Sequence, residues 1–274
     1  MDMPTLQLSG LSLYFDESGA GPPVLLLHGL GSSGRDWDLV APALSTSYRL
    51  LVPDVRGHGR SGKPAGPYSI ELFARDIAEL CDRRGLSALH VVGLSMGGMI
   101  AFQLAVDRPD LARSLVIINS GPDMVPRTLS MWLALKARVL LLRLFGPAYL
   151  GRLLARRLFP RPEQTELRRR LQTSIGENDP DAYLRATRGL IGWTVLPRLA
   201  EVKCPLLCLA SDGDYTPLAA KQAYVRLLSD ARLQVLKDSG HAAPMDQPEQ
   251  VATALTSFFR SLAARSAAPA AIKD

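Results

Sequence analysis

Short apolar runs alternate with longer stretches of helical spacing over most of this 274-residue chain, and that rhythm narrows its fold more than any other feature. Leu11–Phe15, Val24–Leu27, Leu50–Val52, Leu89–Val92, Ser114–Ile118, Leu206–Leu209 and Leu233–Leu236 read as strands. Between them, Trp37–Leu44, Ile70–Arg83, Met96–Val106, Leu218–Leu228 and Glu249–Leu262 repeat apolar residues as one face of a helix does. Strands that are apolar throughout must be covered on both sides. The pattern therefore predicts the α/β class, with a mostly parallel central sheet and helices on both faces.

The rhythm stops after Ile118. From Gly121 to about Pro197 the chain reads as helical and Arg-rich, broken at Gly146-Pro147, Phe159-Pro160 and Asp179-Pro180; alternation resumes at Cys204. This predicts a discontinuous α/β domain, residues 1–120 and 198–264, with a helical cap inserted at 121–197. Within the cap, Trp132, Leu133, Leu135, Val139, Leu142, Leu144 and Phe145 are expected to bury one face against the α/β domain, and to suit a mouth for lipophilic acyl chains. Residues 265–274, rich in Ala and Pro, are expected to be a disordered tail.

With 47% hydrophobic and 21% charged residues the chain has an ordinary globular composition. Met1-Asp2-Met3-Pro4 shows neither the basic start nor the apolar stretch of a signal peptide, and no apolar run is long enough to span a bilayer, so a cytoplasmic protein is expected. Cys81, Cys204 and Cys208 make no disulfide framework. If the run holding the last two is a strand, their four-residue spacing puts them roughly 13 Å apart, and no histidine or third cysteine lies nearby to complete a metal site. All three read as buried thiols. Between Gly121 and Trp193 there are 13 Lys/Arg and 6 Asp/Glu, so one segment carries the whole net charge of +6. Without a recognition motif or interleaved aromatics this does not suggest nucleic acid. It leaves a weak contact of the basic cap with an anionic membrane or an acyl carrier protein as the only partner expected besides a small-molecule substrate.

The chemistry centres on Gly93-Leu94-Ser95-Met96-Gly97, a G-x-S-x-G pattern with a strand before it and a helical run after it. Glycines around the serine leave room for a sharp strand-to-helix turn that lifts the hydroxyl above the sheet. A serine hydroxyl is a poor nucleophile without an adjacent base. Of His28, His58, His90 and His241, only His241 follows the last strand, whose end lies at the edge where the serine turn emerges. Its orienting acid should also follow a strand. Asp212 and Asp214 both do so after Leu206–Leu209; Asp214 is favoured, Asp212 is the alternative, and Asp123 is a more distant one. His28 and His58 read as structural hydrogen-bonders, Trp37 as core, and Asp54 and Arg56 as braces of a glycine-rich loop.

These pieces together resemble the α/β-hydrolase superfamily, in particular its small esterase, enol-lactonase and cofactor-free haloperoxidase-like members. The matching stretches are Leu27-His28-Gly29-Leu30-Gly31-Ser32-Ser33, Pro53-Asp54-Val55-Arg56-Gly57-His58-Gly59-Arg60-Ser61, the serine turn, and Gly240-His241. The resemblance covers about residues 5–120 and 200–262. It implies the chain order Ser95, Asp214, His241, and an oxyanion hole from the backbone N–H groups of Leu30 and Met96. The acid loop departs from the common form, with Ser211 in place of a glycine and Pro217 one residue early, which leaves Asp212 and Asp214 both open.

The expected activity is hydrolysis of carboxylic esters through an acyl-enzyme, with no metal or organic cofactor required. Lactone, thioester and carbon–carbon bond hydrolysis use the same machinery, and a non-catalytic ligand receptor is the alternative of a different class. Related dehalogenases and epoxide hydrolases use an aspartate nucleophile, which the serine at position 95 excludes.

Overall fold

The computed structural model describes residues 5–267. Among them, eight strands form one sheet: β1 (Thr5–Leu8), β2 (Leu11–Ser18), β3 (Pro23–Leu27), β4 (Arg49–Pro53), β5 (Leu89–Leu94), β6 (Ala112–Ile118), β7 (Leu206–Ser211) and β8 (Ala231–Leu236). The order is β1-β2-β4-β3-β5-β6-β7-β8. The β1–β2 and β2–β4 pairs are antiparallel and all the others are parallel. The direction of winding reverses between β3 and β5. A crevice opens at the carboxyl ends of strands at such a reversal, so the residues after Leu27 and Leu94 are placed to line one.

Side chains alternate across the sheet and both faces are apolar. Leu25, Leu27, Val91, Leu115 and Ile117 pack with Phe73 and Ile77 of α2 (Ile70–Arg83) and with Ile100 and Leu104 of α3 (Met96–Asp107). Val24, Leu26, Val92, Val116 and Ile118 face Trp37, Leu44, Phe258 and Phe259 on the opposite side. Leu44 ends α1 (Ala41–Leu44), and the two phenylalanines belong to α9 (Pro248–Ala267).

Several elements differ from the sequence reading. Thr5–Leu8 adds an antiparallel strand that no long apolar run announces, joined to β2 through Gly10 at φ +79°. The helix expected over Trp37–Leu44 is instead a 3-10 turn, Gly34–Trp37, followed by the single turn of α1. Pro42 lacks the N–H that a continuous helix would use there. Helix α9 runs to Ala267, three residues into the stretch expected to be disordered, and the rest of that stretch lies outside the described residues. Cys81 and Cys208 are buried thiols, but Cys204 is only part-buried.

Between β6 and β7 run α4 (Leu129–Leu158), α5 (Thr165–Gly176) and α6 (Pro180–Leu190). Thr128 and Asp179 cap α4 and α6 by accepting the N–H groups of Met131 and Ala182. Helix α4 breaks at Gly146 (φ 73°, ψ 178°), and Pro147 opens its second half. That second half turns Leu150 and Ala155 into a small core with Phe159, Leu171, Ile175 and Tyr183, which also takes in Ala242 and touches Leu30. The inserted helices therefore rest on the loops that follow β3 and β8. Of the apolar side chains expected to bury one face of α4, Leu142 is buried while Trp132, Leu133, Leu144 and Phe145 stay exposed, because most of the packing lies beyond the kink. No described helix is long and apolar enough to cross a membrane.

The remaining helices, α7 (Leu218–Val225) and α8 (Ala243–Asp246), follow the acid loop and the His241 loop.

Candidate active site

Ser95 joins β5 to α3 with φ 52° and ψ −112°, a conformation that a residue with a side chain adopts only when its surroundings enforce it. Two bonds do so. The Ser95 N–H donates to the Ile118 carbonyl at 3.0 Å, and the Ser120 hydroxyl donates to the Ser95 carbonyl at 2.6 Å. A Cβ on Gly93 would run into the Gly97 carbonyl, and one on Gly97 into the Leu27 carbonyl. The spacing of the motif is thus a packing requirement of the turn itself. Met96 is the first residue of α3, so its N–H has no partner within the helix. A Cβ built on Gly29 would lie 3.8 Å from that of Ser95, which places the neighbouring Leu30 beside the serine. The Leu30 N–H has no acceptor within the described protein.

The turn carrying Leu30 is shaped by buried polar groups. Asp36 accepts the Gly29 N–H at 3.1 Å and the Ser32 hydroxyl. Burial raises the Asp36 carboxyl, against the lowering effect of His28 and of these hydrogen bonds. His28 donates from Nδ1 to the Gly29 carbonyl at 2.8 Å and accepts the Val55 N–H at Nε2 at 2.9 Å, so both its nitrogens are occupied. His58 donates to the Arg56 carbonyl at 3.0 Å and is pushed down to about 3 by burial, with the neighbouring His28 adding to the effect. His90 pairs with Ser114 at 2.7 Å and stacks on Phe259. Asp54 braces its loop through the N–H groups of Gly34 and Arg60, each at 2.8 Å.

His241, on the loop after β8, donates from Nδ1 to Asp214 Oδ1 at 2.7 Å. The Asp214 side chain is fully buried. Its second oxygen accepts Lys221 Nζ at 2.5 Å and the Thr216 hydroxyl. Burial alone would raise this carboxyl, but the hydrogen bond and charge of His241, with the bonds from Lys221 and Thr216, hold it down at about 2. Asp212 points elsewhere and accepts the N–H groups of Asp238 and Ser239, both at 3.1 Å. Asp123 pairs with Arg127 at 2.9 Å. The structure therefore brings Asp214, not its two alternatives, to the imidazole. With Nδ1 protonated, Nε2 is the free acceptor, and the Tyr215 hydroxyl donates to it at 3.1 Å. No hydrogen bond joins Ser95 Oγ to His241 in this state.

Four residues that matter here escape the sequence reading. Asn119, at φ 47° directly after β6, donates to Ser211 Oγ (2.8 Å) and to the carbonyls of Gly240 (3.1 Å) and His241 (3.0 Å), and accepts the Ser211 N–H (2.9 Å). It ties the strand beside Ser95 to the loops of Asp214 and His241. Asp246 holds the Gly240 N–H at 2.6 Å. Lys221 and Tyr215 are the other two. An asparagine at a strand end, where a left-handed residue is tolerated, was the one available signal. The other three are recognised only by their partners. Among the described residues, no cluster of three His, Cys, Asp or Glu is arranged to hold a metal ion. A serine on a strained strand-to-helix turn and an imidazole oriented by a buried carboxylate are parts that acyl transfer can use.

Residues 24–254 match the model of the alpha/beta hydrolase family. The chain is 29% identical over 255 residues to RutD of Azorhizobium caulinodans, a proposed carbamate hydrolase, covering 90% of this chain and 94% of the relative. A thermophilic esterase from Thermogutta terrifontis superposes with a TM-score of 0.84 at 28% identity, covering 95% of this chain and 97% of the esterase. The enol-lactonase of Burkholderia xenovorans shares the fold, with a TM-score of 0.87 at 23% identity over 94% of this chain and 100% of the lactonase. Sheet order, serine turn and family match converge, and the chain belongs to the alpha/beta hydrolase family.

Proposed function

We propose that this hydrolase cleaves carboxylic esters, with Ser95 as nucleophile, His241 as general base and then acid, and Asp214 as the group that orients the imidazole. The observation that carries the reading is the 2.7 Å bond from His241 Nδ1 to the buried Asp214, in a fold that also holds Ser95 at φ 52°. The Tyr215 hydroxyl leaves Nε2 when substrate enters, and Nε2 accepts the Ser95 proton as Oγ attacks the acyl carbon. The Leu30 and Met96 N–H groups hold the oxyanion, each such donor contributing about 3 kcal/mol. His241 then protonates the departing alcohol, and water releases the acid by the same route. Asp214, kept ionised by Lys221 and Thr216, stabilises the imidazolium formed in both steps.

Hydrolysis of p-nitrophenyl esters across acyl lengths, by the native protein and Ser95→Ala side by side, tests this. Turnover that vanishes in Ser95→Ala supports the reading. Turnover retained in Ser95→Ala, or absent from both, sinks it. A second reading, carbamate hydrolysis by the same residues, is favoured by the similarity to RutD. Aryl carbamates turned over faster than the matching esters would establish it.

A further inference from the structure

Arg138, on the first half of α4, is part-buried and has no counter-ion among the described residues. Among the described residues it makes one hydrogen bond, from Nη2 to the Tyr183 hydroxyl at 3.0 Å, and its buried Nε has no partner. Arg56 shows the usual arrangement for a buried guanidinium, gripped by both oxygens of Asp76 at 2.6 Å. Arg185, whose Nε is also buried, rests 5.2 Å from the Tyr68 ring centroid. Among the described residues Arg138 has neither a carboxylate nor a ring beneath it. A desolvated cation without compensation is expensive. Its planar donor fork matches a carboxylate, and the described residues supply none.

Its position says what would bring one. Tyr183, the partner of Arg138, packs against Gly31, the residue after Leu30, where a Cβ would stand 2.7 Å from the ring. The Arg138 charge also acts on the Tyr215 hydroxyl, which bonds His241 Nε2. Through Tyr183 the guanidinium is linked to the turn that carries Leu30.

We infer that Arg138 is a receptor for a free carboxylate on the substrate, so that the ester cleaved at Ser95 is one that carries a second, ionised carboxyl group. The Nε and Nη donors take the carboxylate and the Tyr183 hydroxyl orients them. This specificity rests on the ester-hydrolase reading of Ser95, while the anion site itself does not.

Two matched pairs of substrates test it. One pair is a p-nitrophenyl ester whose acyl chain ends in a carboxylate and its methyl-ended counterpart of equal length. In the other, the carboxylate or methyl is on the alcohol. The native protein is expected to prefer the carboxylated member of at least one pair by about tenfold or more in kcat/KM. Arg138→Gln brings that ratio to about one whatever happens to the absolute rates, and Arg138→Lys keeps part of it. No preference in either pair, or a preference that survives in Arg138→Gln, overturns the inference. Should the native protein cleave none of the four esters, the ester reading falls. Titration with glutarate then decides the anion site: binding heat lost in Arg138→Gln upholds it, and absence of binding to the native protein removes it.

Discussion

Asp212 and Asp214 follow the same strand two residues apart, and their carboxylates do unlike work. Asp214 receives the imidazole N–H, while Asp212 turns back to close the loop before His241 by accepting two backbone N–H groups. Asp214→Asn should therefore lower kcat for a p-nitrophenyl ester by about 10³- to 10⁴-fold, because an amide no longer holds the reactive tautomer or stabilises the imidazolium. Asp212→Asn should lower it less than about tenfold and cost about 1 kcal/mol of stability in urea unfolding. If the two kcat losses come out in the opposite order, the acid is Asp212. Spacing alone could not choose between them, since both are turn-forming residues after a strand. The choice is made by side-chain direction, and that depends on backbone donors 26 and 27 residues away. Lys221 and Arg138 were illegible for the same reason: each is recognised only through its partners.

At the scale of elements, Gly93 and Gly146 are required for different physical reasons. Gly93 is required by space, as a Cβ would strike the Gly97 carbonyl within the serine turn. Gly146 is required by backbone angle alone, with φ 73° and nothing within 4 Å of a Cβ. Gly146→Ala should accordingly cost about 1–3 kcal/mol in chemical unfolding, the strain of an alanine at positive φ with extended ψ, where glycine alone is at ease. Gly93→Ala should cost well beyond that and abolish ester turnover, since the serine turn must move to admit the methyl. Equal costs at the two sites would contradict the steric account of the motif. The break at Gly146-Pro147 was readable because proline and glycine punctuate a helix by simple rules. Thr5–Leu8 and Trp37–Leu44 were not. The first is four residues long and owes its strand state to pairing with β2, and the second has apolar spacing but a proline that interrupts it.

Across the whole molecule, the sheet that carries the serine turn also encloses histidines with no part in the proposed chemistry, and they couple its stability to pH. His90 is stacked on Phe259 with ring centroids 4.1 Å apart, far along β5 from Ser95. Burial, aided by the Arg113 charge, lowers it to about 4. Its unfolded value is near 6.5, so between pH 6.5 and about 4 the unfolded chain holds a proton that the folded protein refuses. Stability contributed by the neutral ring is then complete above pH 6.5 and falls as pH drops, by up to about 1.4 kcal/mol per unit. Asp36, Asp76 and Asp246, whose carboxyls burial raises, act in the opposite sense as pH falls. The native protein's profile alone would mix them. The difference between the native protein and His90→Phe separates the histidine, because the other groups are common to both. That difference in unfolding free energy should be constant above pH 7.5 and should move in favour of His90→Phe by about 1 kcal/mol per unit on going down from pH 6.5. Losing the Ser114 hydrogen bond shifts the whole curve without tilting it, so the slope is the quantity to read. A difference that stays level from pH 8 to pH 4.5 would mean that His90 takes up its proton in the folded sheet as readily as in the unfolded chain.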